Sequence, residues 1–348
     1  MLADELDYLV GVDTRLDEHV LAVVAAATGA VLARQVVGAD TRGYEAALCF
    51  VGEAANGGRA WAIEGTGSYG AGLARYLAGR GEMVLEVSRT PRTERRLRGK
   101  DDALDAVRTA RAAPANETLA LPRNGERREA LRLLLVARRS ALDVRREALA
   151  QLRGSIVTAP DRLREELRLL PTGRLLERCS RLRRSNTTAD ELATRLVLRS
   201  LARRINAPTQ EAGELEQEIP SHVQALPPAL LDEPGVGPIV AAQPIVAWSH
   251  HDRLRSEACF ARLAGVAPVP ASSGKTTRHR LSRGGDRQLN RALHTVALHR
   301  RQHDPATKDY IARRIAEGKT RRDTTRLLKR YLARHLYRQL QQTEPLMT

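Results

Sequence analysis

Asp13, Glu64, Asp102 and Asp105 each stand at an end of a short apolar segment in the first third of the chain. A hard divalent cation such as magnesium takes oxygen ligands in near-octahedral geometry, and paired ions in phosphoryl-transfer sites activate the attacking oxygen and stabilise the leaving one. Taken singly, each acid reads as well as a helix cap or a solvated surface group, and Asp102 could cap the helix it opens. Their joint placement points to a metal site for phosphodiester chemistry. A second candidate lies near the other end, where the adjacent Ser272 and Ser273 are followed by Lys275, Arg278, Arg280, Arg283 and Arg287. A serine hydroxyl is a weak nucleophile; it needs a base or a metal to take its proton and cations to hold the phosphate it attacks. This segment supplies only the cations, and without the upstream glycine of a P-loop it does not read as a nucleoside triphosphate site.

Positioning those acids requires ordered elements, and the hydrophobic pattern supplies them. Tyr8 to Asp13 is an apolar run ending in an acid, His19 to Ala26 a second run, Thr28-Gly29 a turn, and Ala30 to Val37 a third run, which together read as a three-strand meander. Residues 41–55 show helical spacing through Tyr44, Leu48, Val51 and Ala55. A strand from Ala60 to Ile63 ends at Glu64, and Ala71 to Ala78 and Met83 to Val87 read as helix and strand. Antiparallel strands followed by alternating helix and strand is the order of an RNase H-like α/β fold, in which Asp13 and Glu64 end neighbouring strands. After a basic stretch broken by Pro91 and Gly99, Asp101 to Ala113 reads as a helix stopped by Pro114, with Asp102 and Asp105 sharing one face.

Beyond residue 126 strand signals vanish. Leu135, Leu142, Leu149 and Ile156 recur every seventh residue, the mark of a helical, coiled-coil arm. Arg138 and Arg145 occupy the alternate seam positions, which leaves a dimeric zipper and an intramolecular helix pair both open. Pro160, Pro171, Gly173 and Pro208 are expected to break the arm, and Pro227-Pro228 marks the next boundary. The expected domains are 1–120, α/β; 121–228, a helical arm; and 229–348, mostly helical.

Charge is unevenly spread. Residues 1–88 hold 6 Lys/Arg against 12 Asp/Glu, and residues 271–348 hold 19 against 6, so the net +16 collects at the far end. A single-sign field of that size favours phosphate backbones over anionic membrane. No apolar run approaches the length of a membrane span, and the acidic opening from Met1 to Leu6 does not read as a secretory leader, so a cytoplasmic, nucleoid-associated protein is expected. Cys49, Cys179 and Cys259 are too few and too scattered for a zinc knuckle or disulfide framework and read as small buried apolar residues. Aromatic residues make up 3% of the chain, which rules out base stacking as the main mode of recognition.

Three further features belong to the C-terminal third. The segment LDEPGVGPIVAAQPIVAW resembles a helix-hairpin-helix element, whose turn at Gly235 and Gly237 would offer backbone N–H groups to a phosphate; Pro244 is expected to bend or shorten its second helix. His299 and His303 are four apart but lack a third ligand, and read as exposed helix histidines. The basic run from Arg313 to Arg338 reads as an amphipathic helix with Leu327, Leu328, Tyr331, Leu332 and Leu336 toward the core.

The segments GVDTRLDEHV, AIEGTGSYG and KDDALDA resemble, in order and spacing, the three motifs of the DEDD-type, RuvC-like domain of the insertion-sequence "one-ten" family of transposases, which are bridge-RNA-guided DNA recombinases. The resemblance spans nearly the whole chain and is weakest over residues 125–225. It implies that Asp13, Glu64, Asp102 and Asp105 bind Mg2+, or Mn2+ in its place; Asp101 stands where the family often has a small polar residue. It implies also a C-terminal transposase domain with a catalytic serine five residues after the proline of a Gly-x-x-Pro motif. Here that motif is Gly265 to Pro268, which selects Ser273, with Ser272 taking its place if the register shifts by one. The implied activity is RNA-guided cutting and rejoining of DNA through a phosphoserine intermediate. Its implied partners are target and donor DNA, a structured noncoding bridge RNA and further copies of the chain as dimer or tetramer. The rival reading is a RuvC-like, metal-dependent junction resolvase or nuclease that uses water.

Overall fold

The computed structural model divides into two compact units, one formed by Met1–Gly125 with Ser249–Ser256, the other by Glu126–Trp248 with Glu257–Thr348. It describes residues 5–87, 102–113, 121–184, 188–226, 228–271, 279, 280, 282 and 284–342.

In the first unit, β1 (Tyr8–Thr14), β2 (Glu18–Ala25) and β3 (Val31–Gly38) form the expected antiparallel meander. Helix α1 (Thr41–Ala54), β4 (Arg59–Glu64), α2 (Ala71–Ala78) and β5 (Met83–Val87) follow, with β4 parallel to β1 and β5 parallel to β4. The sheet order is β3-β2-β1-β4-β5, so β1 is central. Because side chains alternate along a strand, Val10, Val12, Leu21, Val23, Trp61 and Ile63 bury one face against α1 and α2. Leu9, Val20, Ala22, Val24, Ala60 and Ala62 bury the other with Ala106, Val107 and Ala110 of α3 (Asp102–Ala112). This mixed α/β arrangement is consistent with an RNase H-like domain.

Gly11 governs how closely α3 approaches. A Cβ built there would stand 2.0 Å from the Ala106 carbonyl oxygen and 2.6 Å from the Ala110 nitrogen, so no side chain fits between β1 and the helix backbone. Arg111 donates from Nε to the Gly29 carbonyl in the β2–β3 turn (3.0 Å), and Ala25 beside that turn pairs with Tyr8. The C-terminus of α3 therefore lies at the start of β1, and its acidic N-terminus at the end of β1.

Among the described residues the second unit is helical apart from one short ribbon. Its arm comprises α4 (Glu126–Val157), α5 (Asp161–Leu167), α6 (Thr172–Ser180) and α7 (Ala189–Gln224). Arg138 bonds Glu216 (2.5 Å) while Leu152 and Ile156 pack with Leu198 and Leu201, so α4 and α7 run antiparallel as an intramolecular pair. The strict heptad is only partly the buried stripe: Leu135 and Ile156 are buried, Leu142 and Leu149 half-buried, and Leu131, Ala141, Ala148 and Leu152 are further buried positions of α4. Pro160 and Pro171 start α5 and α6, but Gly173 lies within α6, and α7 runs unbroken through Pro208 and Pro220. Each internal proline removes one hydrogen bond at a cost of about 3 kcal/mol; burial beside Ile205 and Ala212 offsets it at Pro208.

After a single helical turn at Pro228–Leu230 come α8 (Pro238–Trp248), α9 (Glu257–Leu263), the ribbon β6 (Val269–Pro270) and β7 (His279–Arg280), α10 (Arg287–His303), α11 (Pro305–Ala316) and α12 (Arg321–Gln341). Helix α8 continues four residues past Pro244, which is buried together with Ala241, Ala242 and Ile245. The basic run 313–338 is two helices, and while Leu328, Leu332 and Leu336 of α12 are buried, Leu327 and Tyr331 are exposed. His299 and His303 are exposed, as read from the sequence, with ring centroids 4.7 Å apart. The cysteines depart from expectation: Cys179 is buried, but Cys49 and Cys259 are exposed. Among the described residues no helix is long and apolar enough to cross a membrane.

Gly11→Ala should cost about 3 kcal/mol or more, because backbone of α3 must move; urea unfolding of the two proteins measures it. Burial pushes the Cys179 thiol up to about 11, so at about pH 8 a thiol reagent should label Cys49 and Cys259 and reach Cys179 only on unfolding.

Candidate functional site

The end of β1 and the end of β4 lie side by side, since the last paired residues of the two strands are Val12 and Ile63. Asp13 and Glu64 are next along each strand, on the face that Leu9, Ala60 and Ala62 turn toward α3. Thr14 locks the two ends together, its hydroxyl donating to the Glu64 carbonyl (2.9 Å). The chain then turns sharply at Gly65 (φ 76°), whose carbonyl accepts from the Ser68 nitrogen (2.8 Å) and the Gly70 nitrogen (3.2 Å). On α3, Asp102 is one turn before Ala106 and two before Ala110, the residues that touch Gly11, and Asp105 is adjacent to Ala106. The side chain of Asp102, like Asp101, lies outside the described residues.

Electrostatics show which acids share a field. The Asp13 carboxyl is held above its ordinary value, first by burial, with repulsion from Asp105 and Glu64 adding to it and Arg15 opposing it. Asp13, Glu64 and Asp105 thus interact as like charges although they are far apart in sequence. Asp13 accepts from Arg15 Nε (3.3 Å), and Asp105 accepts from Arg108 Nη1 (2.8 Å). In this arrangement no three His, Cys, Asp or Glu side chains among the described residues are grouped as a metal-binding set. The donor chemistry nonetheless fits a hard divalent cation: the oxygens are carboxylate, and a cation would relieve the repulsion that disfavours ionised Asp13.

Sequence reading missed Arg15, Arg108 and Thr14 as parts of this site. Arg108, three residues after Asp105 on a helix, was detectable from spacing; the bond from Thr14 to the Glu64 carbonyl required knowing which strands are neighbours.

In the second unit the two hairpin glycines differ. At Gly235 (φ 82°) a Cβ would stand 2.7 Å from Cδ2 of His299, so this glycine is needed for packing against α10. Nothing lies within 4 Å of a Cβ built at Gly237, at the start of α8, and that position is open to a ligand. The hairpin is fastened by Glu233, which accepts from Arg300 Nη2 (2.7 Å) and pairs with His335 Nε2 (2.5 Å), while Arg300 Nε donates to the Pro234 carbonyl (2.9 Å). Burial works against an ionised Glu233, but the hydrogen bonds from His335 and Arg300 prevail and hold its carboxyl below the ordinary value. Sequence gives no sign of this cluster, whose members are separated by up to 102 positions. Arg280 on β7 and Arg287 at the start of α10 are exposed. Ser272, Ser273, Lys275, Arg278 and Arg283 lie outside the described residues.

An acid whose carboxyl is raised on folding lowers stability above its unfolded pKa, and the loss is recovered as pH falls through the raised folded value. At neutral pH and without divalent metal, Asp13→Asn should therefore raise the melting temperature, although it removes a site residue; a calorimetric scan in chelator checks the sign.

Residues 10–159 match the DEDD transposase model of the IS110 group, and residues 228–312 match the model described as "Transposase IS116/IS110/IS902 family". The chain is similar to the insertion element IS110 uncharacterized 43.6 kDa protein of Streptomyces coelicolor, with 36% identity over 128 residues, 36% of this chain and 32% of that protein. It is similar also to the insertion element IS900 uncharacterized 42 kDa protein of Mycobacterium paratuberculosis, with 33% identity over 141 residues, 37% of this chain and 33% of that protein. These alignments span about a third of each relative's length. The first matched region contains all four acids and the second contains the hairpin glycines, the serine pair and the basic segment. On these two matches, over residues 10–159 and 228–312, the chain belongs to the IS110 family of transposases.

Proposed function

We propose that this protein is an insertion-sequence transposase that recombines DNA under the guidance of a structured RNA, through a phosphoserine intermediate. The observation that supports the reading most is the shared field of Asp13, Glu64 and Asp105 at the meeting of β1, β4 and α3. In this reading the first unit is an RNase H-like DEDD domain in which Asp13, Glu64, Asp102 and Asp105 hold Mg2+ or Mn2+. Arg15 and Arg108 balance the acids and give way when the site is loaded. The bound cation would supply Lewis-acid polarisation of the phosphoryl oxygens.

Ser273 is the proposed nucleophile. Its Oγ–P bond forms as a phosphorus–oxygen bond of the DNA backbone breaks; the serine proton ends on the departing deoxyribose hydroxyl, and attack by a deoxyribose hydroxyl on the phosphoserine reverses the exchange. Bond energy is kept in the linkage, so rejoining requires no nucleotide cofactor. Lys275, Arg278, Arg280, Arg283 and Arg287 would neutralise the phosphate, and the open position at Gly237 would let a helix-hairpin-helix backbone approach a neighbouring one. A chain with net charge +16 and 3% aromatic residues suits shape and backbone recognition, with sequence read by base pairing to RNA. Target and donor DNA, a bridge RNA and further copies of the chain are the proposed partners.

Protein purified with its associated RNA, incubated with element-end DNA and Mg2+, should become covalently joined to DNA, and peptide mapping should place the link on Ser273. Ser273→Ala should abolish both link and cleavage, and chelation or Asp13→Asn should lower cleavage by at least about 1000-fold. Cleavage that survives Ser273→Ala would favour a water-using nuclease, and DNA binding without metal-dependent cleavage in any variant would favour a non-enzymatic scaffold.

A further inference from the structure

The first unit contains a segment from far along the chain. Ser249–Ser256 leaves the second unit after α8, joins the first and returns at α9. It holds the two non-glycine residues with positive φ among those described, Ser249 (75°) and Asp252 (64°), a costly geometry that the surroundings must impose. Ser249 is buried; its hydroxyl accepts from the Asn124 nitrogen (3.0 Å) and lies 3.2 Å from the Asn124 carbonyl. His250 Nε2 bonds the Pro122 carbonyl (3.0 Å). Arg253 is 7% exposed and pairs through Nη2 with Glu86 Oε2 (3.2 Å), while its Nε has no hydrogen-bond partner among the described residues.

Glu86 joins this strap to β5, its side chain on the Val84 and Ile63 face of the sheet and not on the Glu64 face. It lies on β5 opposite Ile63, with Val87 opposite Glu64. Its other oxygen pairs with Arg123 Nη1 (3.6 Å), and the same Nη1 stands 3.6 Å from a Cβ built at Gly67, in the turn that follows Glu64. A buried guanidinium is held at some cost in desolvation and is retained where its placement matters.

We propose that Arg253 is a positioning residue for the metal site: through Glu86 and Arg123 it fixes the Gly65–Gly70 turn and hence the Glu64 carboxylate. The acidic site of the first unit is then complete only with a segment supplied from the C-terminal half of the chain. This rests on the metal-site reading above, and the test separates the two.

Full-length wild type, Arg253→Met, the double variant Arg253→Met with Glu86→Gln, Arg253→Lys and Asp13→Asn would be compared. The double variant removes the carboxylate that the single one strands, and Arg253→Lys keeps a cation beside Glu86. Amide hydrogen exchange at Ser68 and Gly70, urea midpoints and direct Mn2+ titration followed by electron paramagnetic resonance are the readouts. In Arg253→Met and the double variant, exchange at Ser68 and Gly70 should quicken at least about tenfold beyond any global change, and Mn2+ affinity should fall at least about tenfold; Arg253→Lys should restore both. Unchanged exchange at Ser68 and Gly70, or faster exchange only in step with the urea midpoint, would overturn the proposal and leave Arg253 a role in stability alone. If Asp13→Asn binds Mn2+ as wild type does, the metal-site reading fails, and the exchange data still decide whether the strap fixes the turn.

Discussion

The contact of α3 with β1 at Gly11 is the constraint on which the first unit depends. A helix commonly packs on a sheet through interposed side chains; here helix backbone meets strand backbone, with no room for a methyl group. That proximity brings the acidic N-terminus of α3 down to the end of β1, within the electrostatic reach of Asp13. The strand and the helix could each form without it, but their carboxylates would not then share a field.

The acidic end of the sheet carries an electrostatic cost. Burial and two like charges oppose ionisation of Asp13, while Thr14 and the Gly65 turn hold Glu64 in place beside it. Arg15 and Arg108 offset part of the repulsion. Functional sites commonly trade stability for function, which is the trade the proposed metal site would make here. In the second unit the order of priorities differs: Glu233, Arg300 and His335 form a closed, satisfied cluster that shapes the hairpin and leaves Gly237 open.

Sequence alone revealed the first unit well because its signals are local. Alternating apolar residues ending in Asp13 and Glu64, and a helix opening near Asp102, are periodicities within single elements, and each element formed where its pattern placed it. What depended on tertiary contact stayed hidden. The strap at 249–256 joins β5 through one buried ion pair across 167 positions. Pro208 and Pro244 are buried inside continuous helices, where packing outweighs one lost hydrogen bond, a balance that local rules do not contain. Leu142 and Leu149 keep the heptad count but are only half-buried, while Ala148 and Leu152 share the core with Leu198 and Leu201 of α7, a partner the heptad count does not name.

The central claim is that four carboxylates from three elements close around one divalent centre. Anomalous scattering from crystals grown with Mn2+ tests this most directly. The expected result is metal density at the ends of β1 and β4, with oxygens of Asp13, Glu64, Asp102 and Asp105 at about 2.1 Å and Arg15 and Arg108 displaced. Full-occupancy metal bound elsewhere, with these acids still paired to their arginines, would contradict it.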